Sequence, residues 1–224
     1  MNNKARIERI SIVGGTGALG GGLARRWAAA GYRIVIGSRK EAKAVQAAER
    51  LAEQTPAGAF QGLNNLAAAE EGDLVVLTVP FAHHQATLEA IRPGLAGKIL
   101  VDTTVPLMPP KVARVQLPPE GSAAVRARQI VGEDVQVVSA FQNVAAELME
   151  LDQDIDCDVL VSGDKLDARQ TVIELANQAG FRAWHAGPLV NSAAMEALTS
   201  VLIFINKRYS GSHAGIKVTG ISDQ

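Results

Sequence analysis

One short stretch, SIVGGTGALGGG at residues 11–22, restricts the possible folds of this chain more than any other. It places Gly15, Gly17 and Gly20 in a G-x-G-x-x-G pattern, after an apolar run and before a segment with helical spacing. The pattern suits a tight turn, a backbone that approaches a pyrophosphate closely, and close packing of a helix on a strand. We therefore predict that a dinucleotide binds here, in preference to an ordinary glycine-rich turn.

The chain alternates short apolar runs with alanine-rich helical segments, which is typical of a mostly parallel sheet built from βαβ units. The predicted strands lie at about 8–13, 33–37, 58–61, 73–79, 98–102 and 135–139. The fold class is predicted to be α/β, with a Rossmann-type doubly wound sheet.

The pattern continues into a small C-terminal α/β portion. Strands are expected at VLVSG and FRAWH, and a helix is expected from Lys165 to Ala179 with Asp164 as its cap. A last helix is predicted from Asn191 to about Arg208. We divide the chain into a nucleotide-binding domain at residues 1–140 and a C-terminal portion at residues 141–224.

The end of the second predicted strand, IGSRKEAK, indicates which dinucleotide binds. An acid at this place would bind the ribose 2′-hydroxyl of NAD, whereas a cation accommodates the 2′-phosphate of NADP. The strand instead ends in Ser38 and Arg39, with Lys43 one helical turn further on. Arg39 can form two bonds to a phosphate, Ser38 can give a third, and Lys43 adds a charge. We therefore predict NADP(H) as the cofactor.

The charge balance and the length of the apolar runs exclude several other classes of protein. Lys plus Arg is 22 and Asp plus Glu is 23, which leaves no basic surplus for nucleic acid. The single Cys157 excludes an internal disulfide, and the histidines show no metal-ligand spacing. The longest apolar run, near Val201 to Ile205, is far shorter than the ~20 residues that cross a bilayer. We expect a cytoplasmic protein without a metal, nucleic-acid or membrane partner.

The segment after the fourth predicted strand is expected to lie beside the nicotinamide. The strand ends at Thr78, and Pro80 and Phe81 follow it, so the Phe81 ring could lie against a bound ring. His83 and His84 come next, at the polar start of a helix, where we expect solvated side chains rather than a catalytic role.

A proline-rich segment between residues 106 and 119 follows the fifth predicted strand. Ligands of open α/β sheets bind at the carboxyl ends of strands, so this long loop is expected to be functional. No arrangement for covalent catalysis is present in the sequence. Catalytic residues therefore stay unassigned, because hydride transfer between two bound rings depends mainly on their orientation.

Several motifs occur in one order along nearly the whole chain: GGTGALGGGLA, IGSRKEAK, VVLTVPF, DTTVPL, VSAFQNVAAE, GDK, AGPLVNS and HAGIK. The chain resembles the NADPH-dependent reductases of the deazaflavin coenzyme F420, also called F420H2:NADP oxidoreductases. The resemblance implies a homodimer that moves a hydride between C4 of NADP(H) and C5 of coenzyme F420, its co-substrate.

The resemblance also implies two sets of binding residues. Together with the glycine pattern and the segment after the fourth strand, it assigns to the cofactor Gly15, Thr16, Gly17, Ala18, Leu19, Gly20, Ser38, Arg39, Lys43, Thr78, Pro80, Phe81, Gln85, Leu107 and Ala146. It assigns to the deazaflavin Val105, Pro106, Gln142, Asn143, Val144, Leu189 and Ser192. Gln142 stands where some well-known members of the family carry histidine.

Two alternative functions fit the same cofactor half of the sequence. One is an NADPH-dependent reductase of another small acceptor, such as a flavin or a ferric complex. The other is a non-catalytic NADP-binding sensor. Reductases of pyrroline-5-carboxylate or 3-hydroxy acids are disfavoured, because their larger helical C-terminal domain does not fit into the roughly 80 residues left here.

The last predicted helix is apolar around much of its circumference between Leu198 and Ile205. A helix of this kind must be buried. We predict that it contributes both to the core and to a contact between two copies of the chain, since two-fold dimers are common.

Overall fold

The computed structural model describes residues 7–150, 155–210 and 213–221. In this part of the chain the strands are β1 (Arg9–Val13), β2 (Arg33–Ser38), β3 (Ala59–Asn64), β4 (Leu74–Leu77), β5 (Ile99–Asp102), β6 (Gln136–Ser139), β7 (Asp158–Gly163) and β8 (Arg182–His185). They form one sheet in the order β3-β2-β1-β4-β5-β6-β7-β8. Strands β1 to β6 pair in parallel, β7 runs antiparallel to β6, and β8 is parallel to β7.

Helices connect these strands. They are α1 (Ala18–Ala29), α2 (Glu41–Gln54), α3 (Asn65–Glu71), α4 (Phe81–Ile91), α5 (Ala123–Val131), α6 (Leu166–Gln178) and α7 (Ser192–Arg208). Short 3₁₀ turns lie at Arg92–Gly94, Ala146–Glu150 and Leu189–Asn191. The predicted α/β fold class, with its doubly wound and mostly parallel sheet, is confirmed.

Two apolar layers cover the faces of the sheet. One layer includes residues of α1, α2 and α6, and the other includes residues of α4 and α5. Trp27 on α1 is completely buried, and its indole N–H donates to the Leu175 carbonyl of α6 at 2.8 Å. Because that bond joins α1 to α6, the C-terminal portion packs directly on the first helix of the nucleotide-binding fold.

The start of α6 differs from the sequence prediction. Asp164 was expected to cap this helix, but the residue at the cap position is Lys165, which makes no side-chain capping bond. The Asp164 carboxylate instead accepts from the backbone N–H of Leu189 at 3.0 Å. The prediction was wrong because an acid before a helix can equally bind a distant N–H that the fold brings close.

The stretch Leu189–Arg208 is the one segment of the described residues that is long and apolar enough to cross a membrane. This segment was not expected from the sequence, because its uninterrupted apolar runs are short. One such helix is a weak indication, because helices of soluble proteins pass the same test. Its buried face also carries the polar residues Ser192, Glu196 and Ser200, which contact other parts of the protein.

Candidate functional site

The strand order reverses at β1, which has β2 on one side and β4 on the other. A crevice forms outside the carboxyl ends of strands at such a reversal, and ligands of open α/β sheets bind there. Thr78, just after β4, closes the floor of this crevice, because its N–H and its hydroxyl both donate to the Val13 carbonyl, at 2.9 and 3.2 Å.

The predicted glycine turn lies at the end of β1. A Cβ added to Gly20 would lie 2.7 Å from Gly15 Cα and 2.8 Å from Thr78 Oγ1, so these glycines allow α1 to approach the strands. A Cβ at Gly17, by contrast, would meet nothing within 4 Å. Gly17 is the cap of α1 and leaves the first-turn N–H groups without a side-chain acceptor. This open helix N-terminus fits a pyrophosphate.

Two cavities adjoin the glycine turn. Thr16, Gly17 and Ala18 line a cavity of about 440 Å³. Thr16 also lines a second cavity of about 500 Å³, which we call the cationic cavity. The cationic cavity brings together the predicted cofactor residues Thr16, Ser38, Arg39, Lys43, Thr78 and Pro80.

The charge of the cationic cavity is strongly one-sided. Its lining includes Arg39, Lys40 and Lys43 but no carboxylate. Neither the Arg39 guanidinium nor the Lys43 ammonium has a hydrogen-bond or ion-pair partner among the described residues. Cations held together without counter-charges attract an anion, and the fork of Arg39 suits a phosphate.

Several residues of this cavity were not predicted from the sequence, among them Lys40 and Asn65. The sequence shows that Lys40 is a cation next to Arg39. It does not show that Lys40 lines the same cavity as Arg39. Asn65 at the start of α3 also lines the cavity, and its side-chain oxygen is buried without a hydrogen-bond partner among the described residues. No sequence signal marks Asn65, because β2 and α3 meet only in the fold.

An apolar cavity of about 600 Å³ lies on the other side of the Pro80–Phe81 step. Its lining includes the predicted residues Phe81, Gln85 and Leu107, together with Met108 and Arg126. The Arg126 guanidinium lies 5.5 Å from the centre of the Phe81 ring and donates to Gln85 Oε1. The structure therefore separates these three predicted cofactor residues from the cationic cavity.

The turn after β6 holds three predicted deazaflavin residues. Phe141, which precedes them, has a φ of 71°, a conformation that is costly for a bulky residue and is often found near functional sites. Gln142, Asn143 and Val144 follow with buried side chains. Gln142 Nε2 donates to the Asp102 carbonyl and to Ser139 Oγ, both at 2.8 Å, while Oε1 has no partner among the described groups.

The remaining predicted residues do not line these three cavities. Val105 and Pro106 are in the loop after β5, Leu19 packs against the core, and Ala146 begins a 3₁₀ turn. Leu189 and Ser192 are buried, and the Ser192 hydroxyl is bonded to Ser122 Oγ at 2.7 Å. The structure does not bring Leu189 and Ser192 to the surface of the crevice.

His84 is not the solvated histidine that the sequence predicted. His83 is exposed, but His84 lies on the buried face of α4 and is 0% exposed. Its Nε2 is 2.7 Å from Oδ2 of Asp102, which is also 0% exposed. The expectation failed because a polar helix start reveals nothing about the strand against which one of its faces packs.

Glu196 on α7 is a second buried carboxyl group behind the crevice. Its two oxygens accept from the backbone N–H groups of Ala123 and Ala124, at 2.6 and 3.1 Å, at the start of α5. Burial raises the pKa of Glu196 to about 8; these two bonds act in the opposite direction, and the nearby charge of Asp102 adds to the increase.

Together, the fold and the crevice define a dinucleotide-binding protein of the oxidoreductase type. The family model described as NADP oxidoreductase, coenzyme F420-dependent, matches residues 9–106. An F420-dependent NADP reductase of Methanocaldococcus jannaschii is 41% identical over 222 residues, which is 95% of this chain and 99% of that protein. Another from Methanothermobacter thermautotrophicus is 38% identical and covers 99% of both chains.

A solved Arthrobacter structure, provisionally assigned as an F420-dependent NADP reductase, superposes with a TM-score of 0.79 at 25% sequence identity. The superposition covers 96% of this chain and all of the other. The chain belongs to the family of F420-dependent NADP reductases.

Proposed function

We propose that this chain catalyses hydride transfer between NADP(H) and the deazaflavin coenzyme F420. The observation that carries the proposal is the pair of unlike cavities on the two sides of the Pro80–Phe81 step. One is cationic and lies beside an open helix N-terminus, and the other is largely apolar. The phosphates of the dinucleotide suit the cationic cavity, whereas its nicotinamide, with the ring of the co-substrate beside it, suits the apolar one.

NADP(H) fits the cationic side of the crevice. Thr16, Gly17 and Ala18 would hold the pyrophosphate at the start of α1. Ser38, Arg39 and Lys43 would bind the 2′-phosphate. Gly15, Leu19 and Gly20 support that turn from behind. The nicotinamide would then lie beyond Thr78 and Pro80, towards Phe81, Gln85, Leu107 and Ala146.

The deazaflavin belongs beside the nicotinamide, near Val105 and Pro106 and near the turn of Gln142, Asn143 and Val144. Residues 141–224 would complete this cleft as a portion distinct from the nucleotide-binding domain at 1–140. Leu189 and Ser192 stay predictions from the family resemblance, since both side chains are buried in the single chain.

The protein's part in the reaction is to hold two rings in contact. The bound nicotinamide supplies or accepts a hydride at C4, opposite C5 of the deazaflavin. Arg39 and Lys43 anchor the far end of the dinucleotide, which limits how the nicotinamide can lie. Apolar groups such as Phe81 and Leu107 exclude water from the rings. We assign no proton-transferring residue, because direct hydride transfer between aligned rings does not require one.

We further propose that the protein works in the cytoplasm as a homodimer. The exposed apolar residues of α7, Val201, Phe204 and Ile205, support a contact with a second copy. The unpaired thiol of Cys157, which is buried, fits a reducing compartment.

Spectroscopy with purified protein tests the proposed reaction. NADPH and oxidised coenzyme F420 are mixed with the enzyme, and the loss of the visible absorbance of the deazaflavin is followed. Parallel reactions replace NADPH by NADH, and coenzyme F420 by FMN or ferric citrate. We expect rapid bleaching with NADPH and coenzyme F420 only. Fast reduction of FMN or ferric citrate, with no bleaching of coenzyme F420, would refute the proposal in favour of another acceptor.

A further inference from the structure

The His84–Asp102 pair lies beneath both walls of the crevice, and neither residue belongs to the predicted binding sets. His84 is on the first turns of α4, and Asp102 is the last residue of β5. Both are completely buried, and 2.7 Å separates Nε2 of the histidine from Oδ2 of the aspartate.

Asp102 fixes the segment that follows β5. Its second carboxylate oxygen, Oδ1, accepts from the backbone N–H of Thr104 at 2.9 Å, and Thr103 is tied to the Leu77 carbonyl of β4 through its hydroxyl at 2.9 Å. The Asp102 carbonyl accepts from Gln142 Nε2 at 2.8 Å. One residue therefore sets the relative positions of the loop leading to Pro106 and of the turn that holds Gln142.

His84 fixes the opposite wall. Its ring lies 6.0 Å from the Phe81 ring, centre to centre, with an angle of 27° between the two planes. Phe81 in turn lines the apolar cavity, together with Leu107. Because His84 backs Phe81 on one side and binds Asp102 on the other, the pair determines the width of the gap between α4 and the loop after β5.

The chemistry of the pair argues against a purely stabilising role. Burying a carboxylate in the core is costly, and a well-packed apolar pair of similar size often gives equal or greater stability. Three residues that bond to Asp102 each have another polar atom buried without a partner among the described groups: His84 Nδ1, Thr104 Oγ1 and Gln142 Oε1. A directional bond at this cost is useful where geometry matters, as it does for ring alignment.

We propose that His84 and Asp102 are positioning residues that hold Phe81 and the loop after β5 at the spacing needed to align the nicotinamide with its acceptor. This inference rests on the proposed function, because one of its tests measures kcat with coenzyme F420. It predicts that the pair affects the rate of hydride transfer and the constraint on the nicotinamide, but hardly affects the affinity for NADPH, which depends on the distant phosphate contacts.

The test compares His84→Leu with His84→Gln, since the glutamine amide can place a donor close to the position of the histidine Nε2. For His84→Leu we expect kcat with coenzyme F420 to fall by about 10- to 100-fold, with Kd for NADPH within about threefold of wild type. His84→Gln should regain most of the lost kcat. Leu88→Ala, one turn further along the same buried face of α4, is the control for destabilisation and should retain kcat in its folded form.

A double variant, His84→Leu with Asp102→Asn, separates positioning from stability. The amide oxygen introduced by Asp102→Asn can still accept from Thr104 but carries no buried charge, so the double variant should regain thermal stability relative to His84→Leu alone. We expect its kcat to stay low. If kcat recovers together with stability, or if Leu88→Ala loses as much kcat as His84→Leu, the pair is only structural and the inference is wrong.

The fluorescence of bound NADPH tests the pair without any acceptor. Wild-type protein should enhance and blue-shift the nicotinamide emission, whereas His84→Leu should bind NADPH equally tightly with a weaker enhancement. Failure of the wild-type enzyme to bleach coenzyme F420 would refute the proposed function and leave this measurement intact. Identical emission from wild type and His84→Leu would refute the positioning role.

Discussion

Among individual residues, Arg39 should contribute most to the preference for NADP over NAD. Its guanidinium has no partner among the described residues and lies in a cavity lined by two further cations. We expect Arg39→Ala to weaken NADPH binding by about 1.5 to 3 kcal/mol, or roughly 10- to 150-fold in Kd, and to change NADH binding little. Kd values for both nucleotides, measured by fluorescence titration, check this.

Arg33→Ala provides the matched control for Arg39→Ala. Arg33 is an exposed cation on the same strand, β2, but it lies at the opposite end from the crevice. The Arg33→Ala variant should have unchanged Kd values for NADPH and NADH. An equal loss of NADPH and NADH affinity in Arg39→Ala would contradict the assignment of the 2′-phosphate site.

The sequence was sufficient to predict the role of a residue where that role depends only on its neighbours along the chain. The glycines and Arg39 could be placed because strand, turn and helix follow one another directly in the chain. His84 and Asp102 could not be paired, since 18 residues separate them and their contact depends on how α4 packs on β5. The acid at the end of β5, in the motif DTTVPL, was a signal, but its partner was visible only in the fold.

At the scale of elements, the packing of α7 on the start of α5 should depend on pH. The raised pKa of Glu196 means that the folded protein binds this proton up to about pH 8, whereas the unfolded chain releases it near pH 4.5. The folded state therefore holds the extra proton between these values, and stability falls as pH rises through this window. The loss should be a few kcal/mol at most.

Glu196→Gln mimics the protonated side chain at every pH. In this variant, residue 196 no longer makes the urea midpoint depend on pH. We therefore expect the wild type to lose more stability than the variant between pH 5.5 and pH 8.5. Equal pH dependence in the two proteins would show that Glu196 remains ionised in the folded state.

The positions of strands and helices could be predicted better than the direction of a strand or the cap of a helix. Alternating apolar and helical segments located the eight strands and the last two helices, because the sheet is mostly parallel and apolar layers cover both of its faces. The antiparallel direction of β7 could not be predicted, since it depends on the path of the chain between β6 and β7. The misplaced cap at Asp164 has a similar cause: Leu189, its true partner, is 25 residues away.

At the scale of the whole molecule, the exposed face of α7 determines the expected assembly. The sequence predicted that this helix must be buried, yet in the single chain Phe204 is 58% exposed and Val201 44%. A second copy packed on this face would remove both side chains from water. We expect a dimer in light scattering at micromolar concentration, and a monomer for Phe204→Glu.

Leu166→Glu is the control for this assembly. Leu166 is 60% exposed, nearly the same as Phe204, but it lies at the start of α6. The control should remain dimeric. A monomeric wild type, or a dimer that Phe204→Glu leaves intact, would contradict the role of α7 in the interface.

The most direct test of the proposed reaction is to follow the hydride itself. NADPH carrying deuterium at C4, in each of its two stereochemical forms, is incubated with the enzyme and oxidised coenzyme F420, and the reduced deazaflavin is analysed by mass spectrometry. We predict that deuterium from one form is retained at C5 of the product, and that deuterium from the other form stays on the nicotinamide. Reduced coenzyme F420 without deuterium from either form would contradict direct transfer between two rings held in one crevice.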